Sequence, residues 1–382
     1  MTAAPLPAGA VTGTSGDATI SDVARLAEVS IKTVSRVLNH EPGVHVDTRA
    51  AVERAIAELR YRPKKSARSL AGARSFLIGL LYYDPSAQFV AGVQQGATMR
   101  CREAGYHLVV ESLHDDAPDL REQVDRMVST LRPDGMILTP PLCDNPEVLA
   151  ALRDSRTPCV LVSPGRHTKD AGRDMPSVRM DDVHAAEETT NLLLSLGHER
   201  IAFVKGPSSQ SASALRHQGF VRAMKAHRVG IVEDYVIAGR FDFESGVEAA
   251  HRLLSLARPP TAVFASNDDM ALGVLAAAQA LGLAVPGELS IAGFDDSPAS
   301  GLVWPALTTV RQPKAEMARV AVEMLIAARA GDFDGPAQAR GTDFHRVLPH
   351  ELVVRDSTAA PATQAIAEQA RARARERTRP KR

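Results

Sequence analysis

Four Asp-Asp pairs come closest, by residue type and spacing, to catalytic chemistry in this 382-residue chain: Asp115-Asp116, Asp181-Asp182, Asp268-Asp269 and Asp295-Asp296. A carboxylate pair can divide general acid and base work or hold a divalent metal. Neighbours on a strand point to opposite faces, however, so a DD dipeptide rarely aims both groups at one substrate. Nothing completes a catalytic set: there is no GxSxG, no P-loop and no zinc-ligand spacing, and the histidines are scattered. Cys101, Cys143 and Cys159 are odd in number, far apart and without a CxxC, so they read as buried or half-buried free thiols in a reducing cytoplasm. The residues point away from an enzyme and call for no cofactor and no metal.

A different chemistry is written in TISDVARLAEVSIKTVSRVLN, Thr19 to Asn39. Thr19 or Ser21 can cap a short helix from Ile20 to about Ala27, with Asp22 in its first turn and Val23, Leu26 and Ala27 as its apolar face. EVS breaks the pattern, and helical spacing resumes from Ile31 to Leu38. There Val34 and Val37 face inward while Ile31, Lys32, Ser35 and Arg36 lie on the outer side. A third helix starts near Asp47-Thr48 and carries Val52, Ile56 and Leu59, closing a small unit near Tyr61. Two helices joined by a tight turn, the second presenting polar side chains outward, form a helix-turn-helix pattern, and the major groove of B-DNA admits one such helix.

The elements around these residues divide the chain. It is 45% hydrophobic, 24% charged and formally neutral, which is ordinary globular composition, and no apolar run is long enough to span a bilayer. Residues 1–18 read as a disordered cytosolic leader, 19–61 as the helix-turn-helix domain, and 62–75 as a basic hinge with too little apolar surface to fold alone. Lys and Arg outnumber Asp and Glu by 11 to 7 between Asp17 and Ser75, so an anionic partner is plausible chemistry for this end. From Phe76 the runs FLIGLLY, HLVVES, GMILTP, CVLVS, RIAFVKG, TAVFASND and LSIAGFDD alternate with amphipathic stretches. That alternation predicts an α/β domain of parallel sheets in two similar lobes, with ligands at the carboxyl ends of the strands. The expected lobes are about 76–176 with 314–340, and about 177–311 with 345–358. Residues 359–382 read as a disordered basic tail without the leucine heptads of a tetramerising bundle.

The quoted opening, with DVA at Asp22, EVS at Glu28, TVSRVLN at Thr33 and LAG at Leu70, closely resembles the N-terminus of LacI/GalR-family transcriptional repressors. The resemblance continues to about Thr358 through LGHERIAFVKGP, LRHQGFVRAM, SNDDMALGVL, ELSIAGFDDS, LTTVRQP and LPHELVVRDST. One departure is Glu28, where the family usually has Gly, which predicts mild strain in the turn. The resemblance implies that Ile31 and Lys32 occupy the variable base-reading positions and that Arg36 reaches a base edge. Thr19, Ser30, Thr33, Ser35 and Asn39 fall among phosphate-contacting or supporting positions, Thr48 would cap the third helix toward a phosphate, and Leu70 would wedge into the minor groove.

For the α/β domain the resemblance implies a periplasmic sugar-binding-protein fold with a ligand between the lobes. Arg216, Asn267 and Asp295 then fall on positions that hold ligand hydroxyls and Phe241 on an aromatic platform. Pro85, Ser86 and Phe89 fall on the first-lobe wall, Ser163 and Gln312 near the crossover, and Gln210 where it compensates for Ala212. An ion pair between Arg216 and Asp295 is an alternative role for those two. Pro85-Ser86 and Ala212 depart from the purine-binding branch. The implied function is a cytoplasmic, homodimeric, sugar-responsive repressor of a carbohydrate operon on a pseudo-palindromic double-stranded operator. Response to a purine, nucleoside or corepressor is the alternative, and a periplasmic binding protein, a sugar-modifying enzyme and an architectural nucleic-acid protein are the rival classes.

Overall fold

A computed structural model of the chain describes residues 18–38, 43–61, 74–83, 87–114, 116–165, 175–330 and 344–361. Asn39, Leu70, Pro85, Ser86 and Asp115, the residues 1–17, most of the expected hinge and most of the basic tail lie outside them. The chain divides into two compact units, 1–74 and 75–382.

In the first unit, α1 (Ile20–Leu26), α2 (Ile31–Leu38) and α3 (Val46–Glu58) enclose Val23, Ala24, Val34, Val37, Val52, Ala55 and Tyr61. Thr19 starts α1 with a capping box: its hydroxyl accepts from the Asp22 N–H while the Asp22 carboxylate accepts from the Thr19 N–H. Two expectations are corrected. Leu26 is exposed and Ala24 takes the inward position, because Val23 and Ala24 are the α1 residues turned toward α2 and α3. Thr48 lies inside the first turn of α3, whose cap position is His45, because the helix begins at Val46, one to two residues before the sequence cue.

The second unit carries the two parallel sheets. The first is ordered β11-β5-β4-β3-β1-β2, from β1 (Leu77–Tyr82), β2 (His107–Ser112), β3 (Gly135–Leu138), β4 (Cys159–Val162), β5 (Ser177–Arg179) and β11 (His345–Val347). The second is ordered β7-β6-β8-β9, from β6 (Ile201–Lys205), β7 (Val236–Ala238), β8 (Ala262–Ala265) and β9 (Ser290–Ala292). β10 (Thr309–Arg311) pairs antiparallel with β12 (Glu351–Val353) and bridges to the end of the second sheet. Residues 177–179 and 345–347, which the sequence places in the second lobe, are hydrogen-bonded into the first sheet.

Period-two alternation sorts the strand side chains into separate cores. Ile78, Leu80, Ile137, Val160 and Val162 pack under α4 (Ala87–Glu103) and, from far along the chain, α11 (Lys314–Ala330). Leu81, Met136, Leu138 and Leu161 face the other way, onto α5 (Leu120–Leu131) and α6 (Pro146–Asp154). In the second sheet Phe203 and Phe264 meet α7 (Asp182–Ser195) and α8 (Ser211–Ala226), whereas Val204, Val263 and Ile291 meet α9 (Phe243–Leu254) and α10 (Asp268–Ala280). Burying each such side chain stabilises the fold by about 1.5–3 kcal/mol. The central strands of each sheet are covered on both faces, which is why their runs are apolar throughout rather than alternating, whereas the edge strands β2 and β11 are largely exposed.

Candidate functional site

The α2 surface is the first candidate. Ser30 caps α2, its hydroxyl accepting from the Thr33 N–H at 3.1 Å and meeting the Thr33 hydroxyl at 2.9 Å. Val34 and Val37 are buried, so the opposite side of α2 faces out: Ile31 is 50% exposed, Lys32 is exposed, and Ser35 and Arg36 are half-buried. Ile31 is therefore not part of the core. The Arg36 guanidinium lies near the loop at Gly43, where an added Cβ would come within 3.3 Å of Nη2. Glu28, in the turn between α1 and α2, has φ of 52°, the left-handed region that costs an L-residue energy and suits glycine.

The second candidate is a cleft of about 420 Å³, part of it open solvent, within the α/β unit. From the first lobe it is lined by Phe89 on α4, Pro140 after β3 and Ser163 after β4. Across from them stand Asp182 at the start of α7, then Gln210, Ala212 and Arg216 at the start of α8. Phe241 after β7, Asn267 after β8, Asp295 after β9 and Gln312 after β10 complete the lining. Every expected cleft residue among those described lines it, and Ser163, Phe241, Asn267 and Asp295 follow the carboxyl ends of parallel strands, where such folds leave room for ligands. Asp182, seen in the sequence only as half of a carboxylate pair, and Pro140 are additions.

The polar lining is held by internal bonds. Arg216 is buried; its Nε donates to Asp182 Oδ1 at 2.9 Å, its Nη1 to the Ser266 carbonyl at 2.6 Å, and its guanidinium lies 3.8 Å from the centroid of the Phe294 ring. The ion pair is thus Arg216–Asp182 rather than Arg216–Asp295, because Asp182 begins α7 alongside α8, whereas Asp295 Oδ1 accepts instead from Gln312 Nε2. Lys314 Nζ donates to the Asp295 carbonyl at 2.8 Å. Asn267 caps α10 by accepting from the Met270 N–H at 3.0 Å and donates to the Phe241 carbonyl at 2.9 Å. It therefore fixes the platform loop from below. Gly206 lets the Phe241 ring lie close, since a Cβ there would be 2.2 Å from the ring.

Three lining residues, Ser163 (φ 51°), Phe241 (φ 64°) and Asp295 (φ 129°), have left-handed backbone, a strain that concentrates at ligand sites. Burial is the main influence raising the Asp295 carboxyl, against the lowering effect of Lys314 and Arg216. Behind it the buried Asp268, which accepts from Thr309 Oγ1 at 2.6 Å and the Ser297 N–H at 2.7 Å, is pushed up to about 7 by desolvation and by Asp295. The carboxylate pairs split as neighbouring residues must. Asp181 caps α7 while Asp182 turns inward, and Asp296 leaves the cleft to pair with Arg355 and Arg311.

Asp144 is one of the residues that tie the two sides together. Asp144 accepts from the Gly165 N–H at 2.8 Å on the first side and from Ser211 Oγ at 2.7 Å on the other. Among the described residues no group of three or more His, Cys, Asp or Glu could hold a metal, and no helix is long and apolar enough to cross a membrane. All three cysteines are buried and free, and burial pushes Cys101 to about 11 and Cys159 to about 12, away from thiolate chemistry.

Residues 19–64 match the model of bacterial regulatory proteins of the lacI family, and residues 190–358 that of a periplasmic binding protein-like domain. The chain is 36% identical over 313 residues to the HTH-type transcriptional repressor PurR of Photorhabdus laumondii, covering 81% of this chain and 89% of that protein. It belongs to the LacI family. It is 34% identical over 309 residues to the ribose operon repressor of Escherichia coli K12, covering 81% of this chain and 92% of that one. The lac repressor dimer bound to operator and the anti-inducer ONPF superposes with a TM-score of 0.76 at 28% identity, covering 90% of this chain and all of that one. This LacI-family member is a DNA-binding transcriptional repressor, and its fold is the helix-turn-helix unit followed by the two-lobed α/β domain.

Proposed function

We propose that this repressor binds its operator as a homodimer in the cytoplasm and that a small sugar in the cleft controls operator affinity. One observation carries the ligand reading: a flat phenyl face, Phe241, stands beside a buried guanidinium, two carboxylates and three amides in one cleft. Apolar C–H faces of a sugar stack on such a ring, while its hydroxyls both donate to carboxylates and accept from Arg216 and Gln210. A purine would use the same ring, but it offers fewer donors to the carboxylates.

On the DNA side, Ile31, Lys32 and Arg36 are the proposed base readers, with Thr19, Ser30, Thr33 and Ser35 supporting phosphate contact. Thr48 remains a candidate phosphate contact from within the first turn of α3. Asn39 and Leu70 keep their proposed roles by resemblance. Leu302 and Trp304, 85% and 82% exposed, form an apolar pair suited to a self-complementary interface between copies, and the relatives' repressor activity argues against an enzyme.

The test is fluorescence anisotropy of the purified chain on DNA upstream of its own gene, at fixed salt, with mono- and disaccharides titrated in. Tight, sequence-specific binding that one sugar changes supports the reading. Specific binding that no sugar alters, but that a nucleobase or nucleoside does, replaces the sugar with that ligand.

A further inference from the structure

The cleft carries a charge pattern that narrows its ligand further. Arg216 is the one cation of the lining among the described residues, and much of its guanidinium is already engaged by Asp182, by the Ser266 carbonyl and by the Phe294 ring. What remains is chiefly its Nη2 edge, which has no partner among the described residues. Lys314, the neighbouring cation, donates to the Asp295 carbonyl. Each carboxylate, by contrast, has an oxygen to spare. Asp182 gives Oδ1 to Arg216 and Asp295 gives Oδ1 to Gln312, and the Oδ2 of each has no partner among the described residues and keeps some solvent access although the residues are largely buried. The lining itself therefore holds two carboxylates against one committed guanidinium, with Asp268 and the Lys314 ammonium behind them.

We infer that the cleft selects uncharged polyhydroxyl ligands and rejects their carboxylate- and phosphate-bearing derivatives, with Asp182 and Asp295 as the residues that set this rule. The inference deepens the sugar reading and rests on it. When a ligand fills the cleft and displaces solvent, each of these carboxylate oxygens needs a donor, and a hydroxyl supplies one. A carboxylate or phosphate supplies fewer donors and meets like charge in a desolvated space, where repulsion is least screened. Nor can Arg216 clamp an anion with two parallel bonds, because the Nε side of its fork is occupied by Asp182. A site built to hydrogen-bond its ligand discriminates most strongly against an analogue that leaves its polar groups unpaired.

Isothermal titration of the full chain with matched pairs tests this: ribose with ribose 5-phosphate, glucose with glucuronate and with glucose 6-phosphate, and adenosine with its 5′-monophosphate. The expected result is that the tightest binder is neutral and that its charged counterpart binds roughly 100-fold more weakly or worse. In Asp182→Asn, which removes one negative charge while its amide oxygen can still accept from Arg216, that gap narrows by about tenfold. The wild-type pairs decide the matter even if the variant folds poorly. An anion that binds as well as its neutral parent overturns the inference while leaving a sugar site standing. Adenosine binding without its monophosphate, and without any sugar, removes the sugar reading and keeps the charge rule. A panel in which no neutral member binds overturns both.

Discussion

Ile31 and Lys32 stand in solvent on a helix whose inner face is two valines, whereas Arg216 and Asp295 are buried and bonded into the framework around them. The α2 surface can change its outward residues with little effect on the core beneath. The cleft has no such separation: Asn267 caps a helix and fixes the Phe241 loop, and Arg216 neutralises Asp182 while lining the site. Recognition and folding are separable in the small unit and joined in the large one.

Arg216→Ala should give the largest effect. It leaves Asp182 buried without its cation and destabilises the α/β unit by about 3–5 kcal/mol. Urea unfolding should show that loss together with lost effector binding; a variant that loses ligand affinity at unchanged stability would break the contrast. Asp268 supplies a smaller effect with a pH signature. Its carboxyl is raised from 3.8 to about 7, so between those values the native state keeps a proton that the unfolded chain has released. Its contribution therefore makes stability fall as pH rises through that window and level off above it. Asp268→Asn should flatten the slope, read from urea midpoints at pH 4.5 to 7.5.

Lys32→Ala should weaken operator binding by about 1–3 kcal/mol while leaving the melting temperature unchanged, checked by anisotropy and calorimetry on the same sample. Smallest is Glu28→Gly, which relieves a left-handed residue and should stabilise the small unit by about 0.5–1 kcal/mol. Hydrogen exchange at the Val34 and Val37 amides should slow accordingly. Unchanged exchange would mean that the turn carries no strain.

The sequence makes the long, doubly covered strands legible because their apolar runs are continuous: β1 and β6 lie where FLIGLLY and RIAFVKG predict them. It hides β5, β7, β10, β11 and β12, each three residues long, whose pairing depends on partners distant in the chain. The start of α3 is blurred because His45 makes no side-chain cap bond and Thr48 offers a stronger cue three residues later. In the cleft, residue identity at Arg216, Phe241 and Asp295 is readable by resemblance, but pairing is not. Whether Arg216 bonds Asp295 or Asp182 depends on how α7 lies beside α8. Asp182 left only one hint, its place second in a carboxylate pair at a helix start, where the first member caps and the second turns inward.

The most direct test of the coupling between the two regions is reciprocal. Operator affinity is measured with and without the effector, and effector affinity with and without operator, on one preparation at one salt concentration. Linkage requires both affinities to change by the same factor, and switching a repressor between mostly bound and mostly free calls for roughly 10²- to 10⁴-fold. Matching factors in that range are the predicted result. A ligand that fills the cleft and leaves operator affinity unchanged would contradict the account.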